Sequence, residues 1–121
     1  MAYKKAVRVP DELFKRDLEQ EKQFGITDLK IYGYWESNDS MTIVGQIFAP
    51  RLKNACCLIC SIYDKDGDVI KSCENESYGS GLVTSMIEPG SFFSGFPFRF
   101  DLYSIKKSKV VEIRIVPADS Y

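Results

Sequence analysis

The chain reads as an all-β antiparallel sandwich of about seven strands behind a short N-terminal helix, on three observations. Apolar and polar residues alternate at a period of two from Leu29 onward, and turn-forming residues recur at short intervals along the same stretch. No helical crossover of the kind a parallel sheet requires lies between the strand candidates. The 121 residues are 45% hydrophobic and 27% charged, an ordinary composition for a domain able to bury about two thirds of the surface its unfolded chain exposes.

The helix is expected over Val9 to Phe24. Pro10 suits a first helical turn, Asp11 and Glu12 favour its positive end, and Gly25 can close it. Asp11 with Lys15 and Glu12 with Arg16 stand four residues apart, as helical ion pairs do. The apolar face is thin, because Leu13, Phe14 and Leu18 are its only large members before Phe24, so the helix must lie against the sandwich or against a partner. Residues 1–26 are therefore expected as a helical extension and residues 27–121 as the sandwich domain.

The first strand, Leu29–Trp35, sets Leu29, Ile31 and Trp35 on one face with Gly33 between them, and Ser37 to Ser40 turns the chain. A second strand, Met41–Ala49, stops at Pro50. The third, Ala55–Tyr63, places Cys56, Leu58, Cys60 and Ile62 inward, and Asp64 to Gly67 leads into Val69–Glu74, with Gly67 free to take positive φ. A short strand from Leu82 to Ile87 ends at Glu88-Pro89-Gly90, the sequence of a type II turn. In the next strand Phe92, Ser94, Phe96, Phe98, Phe100 and Leu102 share the inner face, and Pro97 marks it as an edge or a bulge. The last, Lys109–Pro117, alternates Val111, Ile113 and Ile115 against Glu112 and Arg114. Two antiparallel sheets of short strands and tight turns make this a sandwich of the immunoglobulin or fibronectin type III kind.

At Ile62-Tyr63-Asp64-Lys65-Asp66-Gly67-Asp68-Val69-Ile70, followed by Ile87-Glu88-Pro89-Gly90 and an aromatic strand, the chain resembles the bacterial FxLYD-type domains over roughly Leu29 to Val116. In that family a strand ending in Tyr-Asp leads through an Asp-Gly hairpin, and a later Pro-Gly turn precedes an outer strand. Cys60 stands where the family has its first Phe, and the Phe100-Asp101-Leu102-Tyr103 string follows the Pro-Gly turn instead of preceding it. The resemblance implies an immunoglobulin-like fold and an adhesion or scaffolding role, with no catalytic residues.

Composition excludes several functions. A formal net charge of −1 gives no field to gather nucleic acid or acidic lipid, and Lys106, Lys107 and Lys109 are expected in a solvated turn. Lys4, Lys5 and Arg8 are not followed by the apolar run of a secretory leader, and no stretch has the length of a membrane span, so a cytoplasmic protein is expected. Asn38-Asp39-Ser40 and Asn75-Glu76-Ser77 have the letters of glycosylation sites, which matter only after secretion. Without a histidine, the usual Ser-His-Asp and Cys-His machineries and every His-containing zinc site are ruled out.

Cys57-Leu58-Ile59-Cys60 has the spelling of a redox or zinc motif, but on a strand its cysteines face opposite sides. They are expected as buried thiols acting as small apolar side chains. A two-residue turn at Asp66-Gly67 sets Cys60 directly across from Cys73, whereas a three-residue loop over Lys65-Asp66-Gly67 makes them miss. Either way, thiols are expected in a reducing compartment. Asp64, Asp66 and Asp68 suggest a calcium loop, but aligning Gly67 with its invariant glycine leaves Ile62 and Cys73 where acidic ligands are needed. An acidic hairpin is the expectation, and no metal or cofactor is assigned. Tyr78 to Gly81 lacks the strand-then-helix context of a phosphate loop and is expected as a connection.

A non-catalytic protein-interaction or structural module is therefore expected, its partner another protein or a second copy of the chain. The candidate surface comprises Leu13, Phe14 and Leu18 on the helix with Tyr32, Tyr34 and Phe93 on the sheets. The alternative is a sandwich that binds carbohydrate or another small ligand through surface aromatics, which requires at least two of Tyr32, Tyr34, Phe93 and Tyr103 exposed in one plane. Burial of Tyr32, Tyr34 and Phe93 in the second sheet's inner face is the competing expectation.

Overall fold

The long alternating stretches form strands because only a pleated sheet sends every second apolar side chain to the same side. The computed structural model describes residues 6–79 and 82–119. Its strands are β1 (Val7–Arg8), β2 (Phe14–Arg16), β3 (Asp28–Trp35), β4 (Ser40–Phe48), β5 (Cys57–Tyr63), β6 (Val69–Glu74), β7 (Ser77–Gly79), β8 (Leu82–Thr84), β9 (Phe96–Tyr103) and β10 (Glu112–Ala118). One helix, α1, covers Leu18–Gln23. The first sheet runs β1-β3-β4-β9, the second β2-β10-β5-β6, and β7 pairs with β8. The two four-stranded sheets pack together as an all-β sandwich, as expected.

Ile43, Ile47, Phe96, Phe100 and Leu102 from the first sheet meet Leu58, Ile62, Ile113 and Ile115 from the second, all essentially without exposure. The Phe98 and Phe100 rings meet edge to face at 5.9 Å, the arrangement the ring quadrupole favours. Pro97 lies on β9, which ends its sheet, so the missing donor costs little.

The expected helix over Val9 to Phe24 is corrected to a 3-10 turn over Asp11–Leu13, begun at Pro10, and a short α-helix further on, with β1 before them and β2 between them. β1 pairs antiparallel with β3, and β2 pairs parallel with β10, so the N-terminal segment supplies an edge to each sheet. Its charges take partners set by the sandwich: Arg16 reaches Glu21 and Asp28 rather than Glu12. Val9 is fully buried, which a thin amphipathic helix lying on the surface cannot achieve. Pairing and burial over these residues outweigh helix propensity, which is worth only tenths of a kcal/mol per residue. Gly33 makes room for this strap, since a Cβ there would stand 2.7 Å from Phe14 Cζ and 3.1 Å from Val9 Cβ. The α-helix itself forms over Leu18–Gln23, where Asp17 caps it by accepting from Gln20 N–H and Gly25 takes φ +84 just beyond it.

Three other strands differ from expectation at their ends. β9 begins at Phe96 rather than Phe92, because Gly95 at φ +90 turns the chain just before it. Val111 faces solvent, because Lys107–Lys109 form a 3-10 turn and β10 starts only at Glu112. The expected Leu82–Ile87 strand divides: Leu82–Thr84 pairs with β7, and Ile87 forms a separate bridge to Cys56. Of the expected Tyr78–Gly81 connection, Tyr78 and Gly79 belong instead to β7, and Ser80 and Gly81 lie outside the described residues.

The β5–β6 hairpin reaches the Cys60–Cys73 pairing by a route neither expectation contained. Asp64 N–H donates to Asp68 O around a three-residue loop, and Gly67 takes φ +80. Tyr63 then faces Val69, but Ile62 faces Lys71, so Ile70 is a bulge that restores the register and sets Cys60 opposite Cys73. At the far end of β6, buried Asn75 accepts from Leu58 N–H through Oδ1 and donates to Ser77 Oγ. Glu76 next exchanges two backbone hydrogen bonds of 2.8 Å with Arg99, carrying the chain to the edge of the first sheet.

Burial, and then neighbouring Cys57, push the Cys56 thiol from 9.0 up to about 12. A thiol that stays protonated in the fold but ionises when unfolded adds stability that is complete below about pH 9 and is lost as pH rises through about 12. Urea titrations should therefore show wild type losing more stability between about pH 8 and pH 10.5 than Cys56→Ala, by roughly 1–2 kcal/mol at about 1.4 kcal/mol per pH unit. Parallel pH profiles would contradict the assignment.

Candidate interaction surface

Because Leu29, Gly33 and Trp35 turn inward on β3, Lys30, Tyr32 and Tyr34 must turn outward. The ladder extends this outer face into rows across the sheet. Lys30 stands beside Gln46 and Pro97; Tyr32 beside Val44 and Arg99; and Tyr34 beside Thr42 and Asp101, with Arg8 on its other side. Ser40 and Tyr103 form the next row, and Asp28 and Phe48 close the opposite end. The expected burial of Tyr32 and Tyr34 in the second sheet is thus corrected. They lie on the outer face of the first sheet, and Tyr32 is 37% exposed and Tyr103 64%.

Charged side chains are fixed around these rings. The Arg8 guanidinium lies 4.9 Å from the Tyr32 ring centre and 3.1 Å from Asp11 Oδ1, and Lys30 Nζ lies 5.4 Å from the Phe48 ring centre. Arg99 Nε donates to both Asp101 oxygens, at 3.1 and 3.0 Å. Thr42 Oγ1 donates to Glu36 at 2.7 Å. Cations set over aromatic faces hold the rings in place and leave a flat surface bearing both apolar area and donors.

The other expected surface residues do not join this face as a group. Leu13 and Phe14 are partly buried and pack on the core, because Leu13 ends the 3-10 turn and Phe14 opens β2, a strand paired to the second sheet. Leu18 is 65% exposed on α1, beside a cleft lined by Lys15, Glu112, Arg114 and Val116. Phe93 is 57% exposed and rests 4.9 Å from the Phe96 ring in the turn before β9, at the end of the sheet where Gly95 meets Phe48. Sequence reasoning missed Arg8, Val44, Phe48 and Arg99. The last three were within reach of strand alternation once β4 and β9 were paired, whereas Arg8 was hidden by the helical reading of its segment.

The remaining clusters have structural work. Asp64, Asp66 and Asp68 bring carboxylate oxygens within 4.8 Å of one another, and Asp64 Oδ1 accepts from the backbone N–H of both Asp66 and Asp68, bracing the turn. Cys57 and Cys60 lie on opposite faces of β5, with Cys57 opposite Ala118 and Cys60 opposite Ile115. Among the described residues, no helix is long and apolar enough to cross a membrane. The chain matches no family model, no curated protein and no solved structure.

Proposed function

We propose that this chain is a non-catalytic protein-interaction domain of immunoglobulin-like topology that meets its partner through the outer face of the first sheet. The observation that carries this reading is the joining of Tyr32, Tyr34 and Tyr103 with Arg8 and Arg99 on one face. Tyrosine and arginine are among the side chains that most often anchor protein interfaces: tyrosine presents large area with only two rotors to freeze, and arginine a planar fork of donors. The topology supports the immunoglobulin-like part. β4 pairs with β9 in one sheet and β5 with β10 in the other, and the chain changes sheet between β4 and β5 and again between β9 and β10. The Tyr63-Asp64 strand end and Pro89-Gly90 turn that resemble FxLYD-type domains support the same reading. A reducing, cytoplasmic setting belongs to the proposal, supported by cysteines that stand as thiols.

A photo-crosslinking residue placed at Tyr34 or Tyr103 in the source cells should trap one discrete protein, another chain or a second copy of this one. The same probe at Ser61 or Ser72, on the outer face of the second sheet, should not. Tyr32→Ala and Arg99→Ala should each weaken the captured complex by about tenfold or more, as loss of an anchor does. Equal labelling from both faces, or no discrete product from the first, would remove the proposal. The aromatic face also favours a second reading, a sugar-binding platform, because Tyr32, Tyr34 and Tyr103 share it. A saturable tyrosine-fluorescence response to one glycan class, absent in Tyr32→Ala, would replace the protein partner with that ligand.

A further inference from the structure

Cys60 and Cys73 are direct partners across β5 and β6. Asn75 N–H donates to Leu58 O at 3.0 Å, so that pair is hydrogen-bonded. Antiparallel strands alternate, which makes Cys60 and Cys73, two steps along, a hydrogen-bonded pair as well. Such pairs hold their Cα atoms at about 5.5 Å, inside the Cα range of a disulfide, and the Cβ atoms across such a rung need close by only about 1 Å to be bridged. The bulge at Ile70 matters here, because without it each of these side chains would oppose a different residue.

The two thiols differ in access. Cys60 is fully buried on the inner face of β5, whereas Cys73 is only partly buried, on the strand that ends the second sheet. We propose that Cys60 and Cys73 form a hydroperoxide-responsive dithiol in which Cys73 is oxidised first and Cys60 resolves it to a disulfide.

In the first step the Cys73 sulfur attacks one peroxide oxygen and the O–O bond breaks. The departing oxygen leaves as an alcohol, or as water from hydrogen peroxide, carrying the proton that Cys73 gave up, and Cys73 becomes a sulfenic acid. In the second, the Cys60 sulfur attacks Cys73 Sγ; the S–S bond forms, the S–O bond breaks, and hydroxide takes the Cys60 proton and leaves as water. The two thiols lose two electrons and the hydroperoxide gains them. Local polarity supports the order of events. The hydrogen bond from Cys60 and the charge of Lys71 draw the Cys73 thiol below its ordinary value despite its partial burial, while the same hydrogen bond and deep burial push Cys60 up. Cys56 and Cys57 are fully buried, and burial raises both, so they serve as internal controls.

The test uses the full folded chain, exposed to hydrogen peroxide, blocked with a maleimide and mapped by mass spectrometry without reduction. Wild type should lose two of its four thiols and yield one linked peptide pair joining Cys60 to Cys73, reversed by a dithiol reductant. Cys73→Ser should keep its remaining thiols, and Cys60→Ala should accumulate a dimedone-reactive sulfenic acid at Cys73. Cys57→Ala should form the linkage at the wild-type rate. Retention of all four thiols, linkage through Cys56 or Cys57, or a sulfenic acid trapped elsewhere would overturn the proposal. So would linkage by a diamide-type oxidant but not by peroxide, because it would remove the oxidant class. Wild-type mapping decides the matter even where a variant fails to fold.

Discussion

Gly45→Ala should cost this domain about 4 kcal/mol or more, enough to leave little folded protein. Gly45 lies mid-strand on β4, paired with Ile31 on one side and Phe98 on the other. A Cβ built there collides with the backbone oxygen of Lys30 and stands 2.5 Å from Phe98 Cζ. The oxygen belongs to β3, which β1 and β4 hold from both sides, and Phe98 is buried among the facing side chains, so neither neighbour can withdraw cheaply. A methyl group that must displace a ladder strand costs more than the usual 1–3 kcal/mol of overpacking. Two controls separate crowding from backbone effects. Gly90 does not take the positive φ of the expected type II turn, so Gly90→Ala adds its methyl to open space and should change stability by less than about 0.5 kcal/mol. Gly67→Ala also meets nothing but sits at φ +80, and should cost about 1 kcal/mol. Urea denaturation of the three variants checks this order; a Gly45→Ala midpoint equal to wild type would refute the crowding account.

What the sequence disclosed and what it hid follow from the range of the forces involved. β3, β4, β5 and β6 were legible to within two residues because their alternation is local: each inward side chain is next but one to another. The same rule should have sent Tyr32 and Tyr34 outward once Leu29 and Trp35 were placed inward, but counting aromatics as core material pulled the expectation the other way. The N-terminal strap was illegible for a different reason. Pro10 and the acidic residues after it yield only the 3-10 turn Asp11–Leu13, because such helix signals are weak and the partners that stop the helix there lie far along the chain at Gly33 and Ile113. The Cys60–Cys73 register was not legible: the three-residue loop alone would make the two cysteines miss, and the bulge at Ile70 that restores them cannot be seen in an alternating pattern of polar and apolar residues.

Arg16→Ala should destabilise the domain by about 3–5 kcal/mol, and by clearly more than removing its partner's charge. Glu21 is 1% exposed under the end of the sandwich. Arg16 reaches it from β2 with a bidentate pair, Nε to Oε2 at 2.9 Å and Nη2 to Oε1 at 2.5 Å, and sends Nη1 to Asp28 at 3.1 Å. The clip therefore ties β2, α1 and β3 together, and with them the strap that carries Arg8 to the aromatic face. Without Arg16 a carboxylate remains in a site from which water is excluded, which is the expensive half of a broken pair. Glu21→Gln leaves Arg16 part-exposed, with Asp28 and solvent still in reach, so its cost should be nearer 1–2 kcal/mol. Arg16→Lys should recover only part of the loss, because an ammonium cannot make the paired contacts of a guanidinium. Replacing both partners, as Arg16→Met with Glu21→Leu, should cost less than Arg16→Ala alone, since no charge is then stranded. Denaturant titrations of the four variants decide it. Equal costs for Arg16→Ala and Glu21→Gln would mean that the carboxylate has other support and that the strap is held by its backbone pairing alone.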